Sequence, residues 1–222
     1  MTDFVVYQIP KGESGKMAIK NIASLDRVFI KQKKELAELF GFETRNKYSI
    51  ETLDGVQLAY AAEQQKGAWA FIARQFFGHW RTFDLMLFDA DREVILRAQH
   101  PFRFFFQRLE IYTPDGRLLG TVQRRFSLVT KSFDLAGPNG EVLFSVRSPI
   151  WKIWTFPFVR MGKELAWVRK KWGGLVKEAF TDADTFEVEF GDSHLSDEER
   201  VLIVTAGLYI DLMFFERKAG SN

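Results

Sequence analysis

From about residue 25 the chain alternates short apolar and polar runs, broken at intervals by turn residues. The breaks fall at Asp54-Gly55, Asp89 to Arg92, Pro114-Asp115-Gly116, Pro138-Asn139-Gly140 and Met161-Gly162-Lys163. Asp-Gly and Asn-Gly between apolar runs mark hairpins, with positive φ expected at both turn positions. The runs predict strands over 56–62, 83–88, 93–98, 104–112, 118–125, 142–147, 164–169 and 185–190. In the last of these Phe186, Val188 and Phe190 share one face and Glu187 and Glu189 the other. Turns this closely spaced favour an antiparallel meander over βαβ units. A short helix is predicted from Lys33 to Phe40, stopped by Gly41. Residues 10–24 are polar, with Pro10, Gly12 and Gly15, and residues 1–24 read as a mobile leader. A single domain follows over 25–218, with 219–222 as a tail.

The C-terminal segment breaks the pattern. Ser196 and Glu199 form a capping box, and the acids that follow Ser196 suit a helix N-terminus. The helix is then apolar on every face from Val201 through Leu202, Gly207 and Leu208 to Phe214 and Phe215, apart from Thr205 and Asp211. Its apolar part spans about 22 Å, short of the ~30 Å hydrocarbon core of a bilayer. Asp211 at bilayer depth would cost about 2.5–3.5 kcal/mol. Two placements are open, a membrane span or the axis of a closed barrel. The barrel buries the helix on all sides and leaves no exposed sheet edge. The expected fold is therefore mainly β, a closed antiparallel barrel wrapped around one buried C-terminal helix.

Composition narrows the chemistry. With 46% hydrophobic and 27% charged residues the 222-residue chain is ordinary for a globular domain, which excludes a disordered, collagen-like or polytopic membrane protein. It has no cysteine, so disulfides, thiolate zinc sites, thiol nucleophiles and palmitoylation are excluded. Aromatic content is high, with 23 Phe and 6 Trp. Net charge is +2, but residues 97–177 carry 15 basic against 5 acidic side chains, whereas 178–200 carry 1 against 9. A basic middle suggests a polyanionic partner, anionic lipid or nucleic acid. Alternatively, folding mixes the two segments on one surface. Thr2 stands where N-myristoylation needs glycine, and the first residues do not form a secretory signal. The chain reads as intracellular. Hydrolase, Walker A, zincin and dinucleotide motifs are missing from the sequence. His194, beside Asp192 and Ser193, reads as a loop histidine, and Glu110 and Asp134 as ion-pair partners of Arg124 or Arg125. The chain is expected to bind or move its ligand, not to transform it as an enzyme does.

Four stretches carry a resemblance: Phe40-Gly-Phe-Glu-Thr-Arg-Asn-Lys-Tyr48, Tyr60-Ala-Ala-Glu63, Glu178-Ala-Phe-Thr-Asp-Ala-Asp-Thr-Phe186 and Leu208-Tyr-Ile-Asp-Leu-Met-Phe-Phe-Glu216. In order and separation they resemble the phospholipid scramblase family, from about Leu25 to Glu216. The resemblance implies a Tubby-like barrel of about twelve strands around the C-terminal helix. It also implies phospholipid scrambling between leaflets, possible calcium dependence, and association with the cytoplasmic face of the plasma membrane. The alternative is a soluble Tubby-like module that binds a phosphoinositide, nucleic acid or protein without moving lipid. Animal scramblases begin with a proline-rich segment and carry cysteine clusters, and this chain has neither. Instead it has aromatic and basic stretches that suit an interfacial membrane anchor or a stacking platform for single-stranded nucleic acid. Membrane-contact candidates are Trp69, Phe76, Phe77, Trp80, Phe104, Trp151, Trp154 and Phe156, with Arg124, Arg125 and Lys131. The family's calcium segment maps onto Asp182 to Ser193. Asp182 and Asp184 take positions 1 and 3 of an oxygen-ligand loop, Phe186 takes position 5, and Asp192 stands one residue early. Calcium is therefore expected to bind weakly, and a solvated acidic strand is the competing reading.

Overall fold

Residues that alternate between core and solvent with period two build this protein's wall, and one helix that is apolar all round fills it. The structure, a computed structural model, describes residues 13–33, 44–64, 83–101, 107–152, 154–171, 185–191 and 194–215. The strands run β1 Arg27–Gln32, β2 Thr44–Glu51, β3 Gln57–Gln64, β4 Phe83–Phe88, β5 Val94–His100 and β6 Arg108–Tyr112. They continue as β7 Leu118–Arg125, β8 Thr130–Ala136, β9 Val142–Pro149, β10 Thr155–Arg160, β11 Lys163–Lys171 and β12 Thr185–Phe190. Each pairs antiparallel with its sequence neighbour, and β12 returns to β1, so the barrel closes and no edge is left open. Leu85 and Leu87, Phe133 and Leu135, Phe144 and Val146, and Phe186 and Val188 point inward and are buried.

Helix α2, Asp197–Phe214, follows β12 and fills the barrel. Ser196 and Glu199 close the capping box, and every residue from Arg200 to Met213 is buried. Two glycines make room for it. A Cβ on Gly207 would stand 2.8 Å from Ile30 of β1, and one on Gly120 of β7 would stand 3.0 Å from Leu202. Asp211 accepts a hydrogen bond from the Tyr48 hydroxyl at 2.8 Å.

Three expectations need correction. The leader is not wholly unstructured: Glu13–Ala23 form helix α1, which packs on α2 with Ile22 fully buried. Ala18, Ile19 and Ile22 recur at helical spacing, a signal outweighed by the polar residues around them. Second, the Asp-Gly and Asn-Gly turns take positive φ at the glycine alone, at Gly55, Gly116 and Gly140. Only Met161-Gly162 is left-handed at both positions. The former are five-residue connections in which a tight turn, such as Thr52 to Gly55, is followed by a left-handed glycine, while Met161-Gly162 joins its strands directly. Third, β1, β2, β8 and β10 were not anticipated. β10 carries Pro157, which argues against a strand; it is tolerated because β10 pairs with β9 only from Phe158 onward. Beyond Lys33, the helix predicted at 33–40 lies outside the described residues.

Because consecutive strands are antiparallel, their connections alternate between two ends. Residues 52–56, 89–93, 113–117, 137–141 and 161–162 link strands at the lower rim, where α2 begins. Residues 126–129 and 150–152 lie at the upper rim, where α2 ends against Trp154, Phe156 and Phe186.

Candidate functional site

The upper rim gathers several of the aromatic and basic side chains between Arg124 and Phe156. Between β7 and β8 the chain runs Phe126-Ser-Leu-Val129, and between β9 and β10 it passes through Ile150 and Trp151. Neither piece can fold its apolar side chains inward, because α2 already fills the barrel. Phe126 is 82% exposed, Leu128 81% and Trp151 72%, with Val129 and Ile150 also exposed. The two tips are joined: the Ile150 amide donates to the Val129 carbonyl at 3.2 Å, and Thr130 pairs with Pro149. Together they form one apolar prominence.

Cations surround it. Arg124, Arg147 and Lys152 are exposed, and none has an acidic partner among the described residues. Arg125 is also exposed but gives a 2.6 Å ion pair to Asp134. Lys131 behaves differently, because it shares the inward face of β8 with Phe133 and Leu135. It is half-buried, with its ammonium 4.9 Å from the Phe215 ring. Lys170 approaches the same ring at 4.3 Å, and Arg124 lies 5.9 Å from Phe214. α2 has no basic residue in its last turn, so these strand cations supply the positive charge that favours a helix C-terminus.

The predicted membrane contacts therefore divide. Trp151, Arg124 and Arg125 reach the surface. Phe156 is fully buried and stacks on Phe214, and Trp154 is partly buried with its ring stacked on Phe215 at 5.6 Å. The sequence alone groups both with the surface rings because it does not mark β10 as a strand, whose alternation turns them inward. Trp69, Phe76, Phe77, Trp80 and Phe104 lie outside the described residues. Phe126, Leu128, Val129, Ile150, Arg147 and Lys152 were missed. For Phe126, Leu128 and Val129 the signal is a short apolar run between Arg124-Arg125 and Lys131, interrupted by Ser127.

The acidic segment meets the basic one across strands. Arg27 bridges to Glu187 at 3.0 Å and to Glu189 at 3.4 Å, Lys171 to Glu187 at 2.5 Å, and Arg169 hydrogen-bonds Glu189. At the lower rim Glu198 pairs with Arg117 at 3.0 Å, and Glu199 pairs with Arg160. The hydrogen bond from Arg169, opposed by burial and aided by both arginine charges, holds Glu189 below the usual carboxylate range. Glu51 is also lowered: burial pushes it up, but hydrogen bonds from Lys31 and Ser49 and the charges of Lys31 and Lys33 outweigh that. Glu110 pairs with Arg108, not with Arg124 or Arg125.

This arrangement bears on calcium. Phe186, at position 5 of the candidate loop, lies in the core, and Glu187 and Glu189 are engaged by basic side chains. Asp182, Asp184 and Asp192 lie outside the described residues. Among the described residues no helix is long and apolar enough to cross a membrane.

Comparison with known proteins places this architecture. Phospholipid scramblase 2 of Homo sapiens is 28% identical over 214 residues, covering 90% of this chain and 70% of that protein. Phospholipid scramblase 1 of Mus musculus is also 28% identical over 214 residues, covering 90% of this chain and 64% of that one. The chain thus spans roughly two thirds of these relatives' length. A solved Arabidopsis thaliana protein aligns over 83% of this chain and 90% of its own, with a TM-score of 0.47 at 11% identity. The sequence profile of the family described as Scramblase matches residues 7–217, nearly the whole chain, and the chain belongs to that family.

Proposed function

We propose that this chain is a scramblase-like, membrane-associated protein that promotes exchange of phospholipid between leaflets from the cytoplasmic face of the plasma membrane. The carrying observation is the upper rim, where exposed apolar side chains sit among cations that lack acidic partners among the described residues. Anionic headgroups complement the cations, and the boundary with the acyl chains takes up Phe126, Leu128 and Trp151. The reading involves no chemical transformation of the lipid. Calcium enters it as a weakly held ligand of Asp182, Asp184 and Asp192, with a dissociation constant of about 10⁻⁴–10⁻³ M. Calorimetry checks this: Asp182→Ala with Asp184→Ala abolishes the binding heat, and micromolar binding that survives the double change refutes the site.

Flotation with phosphatidylserine-containing and neutral vesicles tests the association, followed by a dithionite-quench assay of lipid exchange in the same vesicles. Binding with accelerated loss of protected fluorescence supports the proposal. One observation favours a second reading, a Tubby-like module that binds an anionic ligand without moving lipid: the barrel encloses the strongly apolar helix α2 on all sides. Binding without lipid exchange, or tighter binding to single-stranded oligonucleotides than to anionic vesicles, selects that reading.

A further inference from the structure

The two rims of the barrel are chemically unlike. The tight turns of the lower rim carry Asp54, Asp89, Asp91, Glu93, Asp115 and Glu141 against Arg92 and Arg117, and the acidic first turn of α2 lies at the same end. Its exposed apolar side chains, Leu53 and Val56, Val142, and Met161, are scattered over three hairpins. At the upper rim the apolar tips are joined by a backbone hydrogen bond and accompanied by Arg124, Arg147 and Lys152. The barrel wall offers no comparable surface where β11, β12 and β1 meet, because its cations and acids neutralise one another there.

Resting on the membrane reading above, we infer that the protein docks end-on. The joined tips of 126–129 and 150–151 enter an anionic phospholipid leaflet, α2 stands along the membrane normal with its C-terminal end toward the bilayer, and the lower rim faces away. Charge selects the partner. Cations without acidic partners among the described residues, set beside apolar side chains, match a surface with phosphate outside and hydrocarbon beneath, and the acidic lower rim would be repelled by the same surface. Sideways docking would instead press the ion-paired wall, which is already neutralised, against the headgroups.

The chain has no cysteine, so single-cysteine variants each carry one environment-sensitive fluorophore. Leu128→Cys and Trp151→Cys report the upper rim, Leu53→Cys and Met161→Cys the lower rim, and Arg97→Cys the flank. All five positions are exposed, so labelling leaves the core untouched. With phosphatidylserine vesicles, the labels at 128 and 151 should shift to the blue and be quenched by spin-labelled lipid, while the other three stay in water. Replacing Phe126, Leu128 and Trp151 together by Ser should lower vesicle affinity at high salt by about tenfold or more, with an unchanged melting curve. Quenching strongest at 53, 161 or 97 in vesicles that float the protein overturns the orientation and leaves the membrane reading standing. Absence of flotation by the unlabelled chain overturns both. A blue shift at 128 and 151 that grows with protein concentration or with oligonucleotide, and not with vesicles, assigns the tips to a second copy or to nucleic acid and refutes the inference.

Discussion

Asp211 is the only acidic side chain between Val201 and Phe215, and the barrel meets it with Tyr48 from β2. A buried acceptor deprived of its donor costs about 1–3 kcal/mol. Tyr48→Phe should lower unfolding stability by that amount in denaturant titration without changing the fold. A loss within error would show that other groups satisfy Asp211. Gly207 tests the packing on the same helix. Leucine there must displace Ile30 and crowd Val188 and Val168, and overpacking of this kind costs about 1–3 kcal/mol or more. Trp151→Ser should leave thermal unfolding nearly unchanged, whereas Phe156→Ser should cost about 3 kcal/mol or more. These two rings lie five positions apart in one aromatic stretch. Only their place in or before β10 separates a surface contact from a core residue.

At the scale of elements, β12 explains what becomes of the acidic segment. Its outward Glu187 and Glu189 are flanked by Arg27 on β1 and by Arg169 and Lys171 on β11. Glu189 and Glu51 both titrate below the ordinary value of 4.5 in the fold. A carboxylate lowered by folding contributes stability that is present above its unfolded pKa and is lost as pH falls through the folded one. Stability should therefore decline below about pH 4.5, and Glu51→Gln should flatten that acid limb in denaturant titrations at stepped pH. An unchanged slope would remove Glu51 from the account. The alternation of β12, the capping box and the all-apolar helix were legible because each is a local pattern with a fixed period. β2 and β8 were harder. Their inward faces mix Asn46 or Lys131 with Tyr48, Ile50, Phe133 and Leu135, so the contrast that marks a strand fades toward the upper rim.

Across the whole molecule the excess positive charge of the middle third is partly cancelled by pairs with Glu187, Glu189, Glu198 and Glu199. What remains exposed includes Arg124, Arg147 and Lys152 on one rim. Each cation brought to an anionic surface contributes about 1 kcal/mol, and the contribution fades as salt shortens the Debye length. Replacing the three by Gln should weaken binding to phosphatidylserine vesicles at low salt and flatten its salt dependence, leaving the apolar contribution in place. Equal weakening at all salt concentrations, measured by flotation, would assign them a structural role.

The sequence alone determined the class of the fold and where its helix goes. Hydrophobic period, turn residues and a helix apolar on every face are properties of neighbouring residues, and an all-apolar helix in a β-rich chain has few places to be buried. The resemblance in four ordered blocks supplied the strand number. Tertiary structure decided which aromatics are core and which are surface, which acids are neutralised, and which end of the barrel is basic. Each of those depends on register between strands distant in sequence, because a one-residue shift turns a side chain from inside to outside. Joined by antiparallel pairing, Phe126 and Trp151 become neighbours on one rim, although 24 residues of chain separate them.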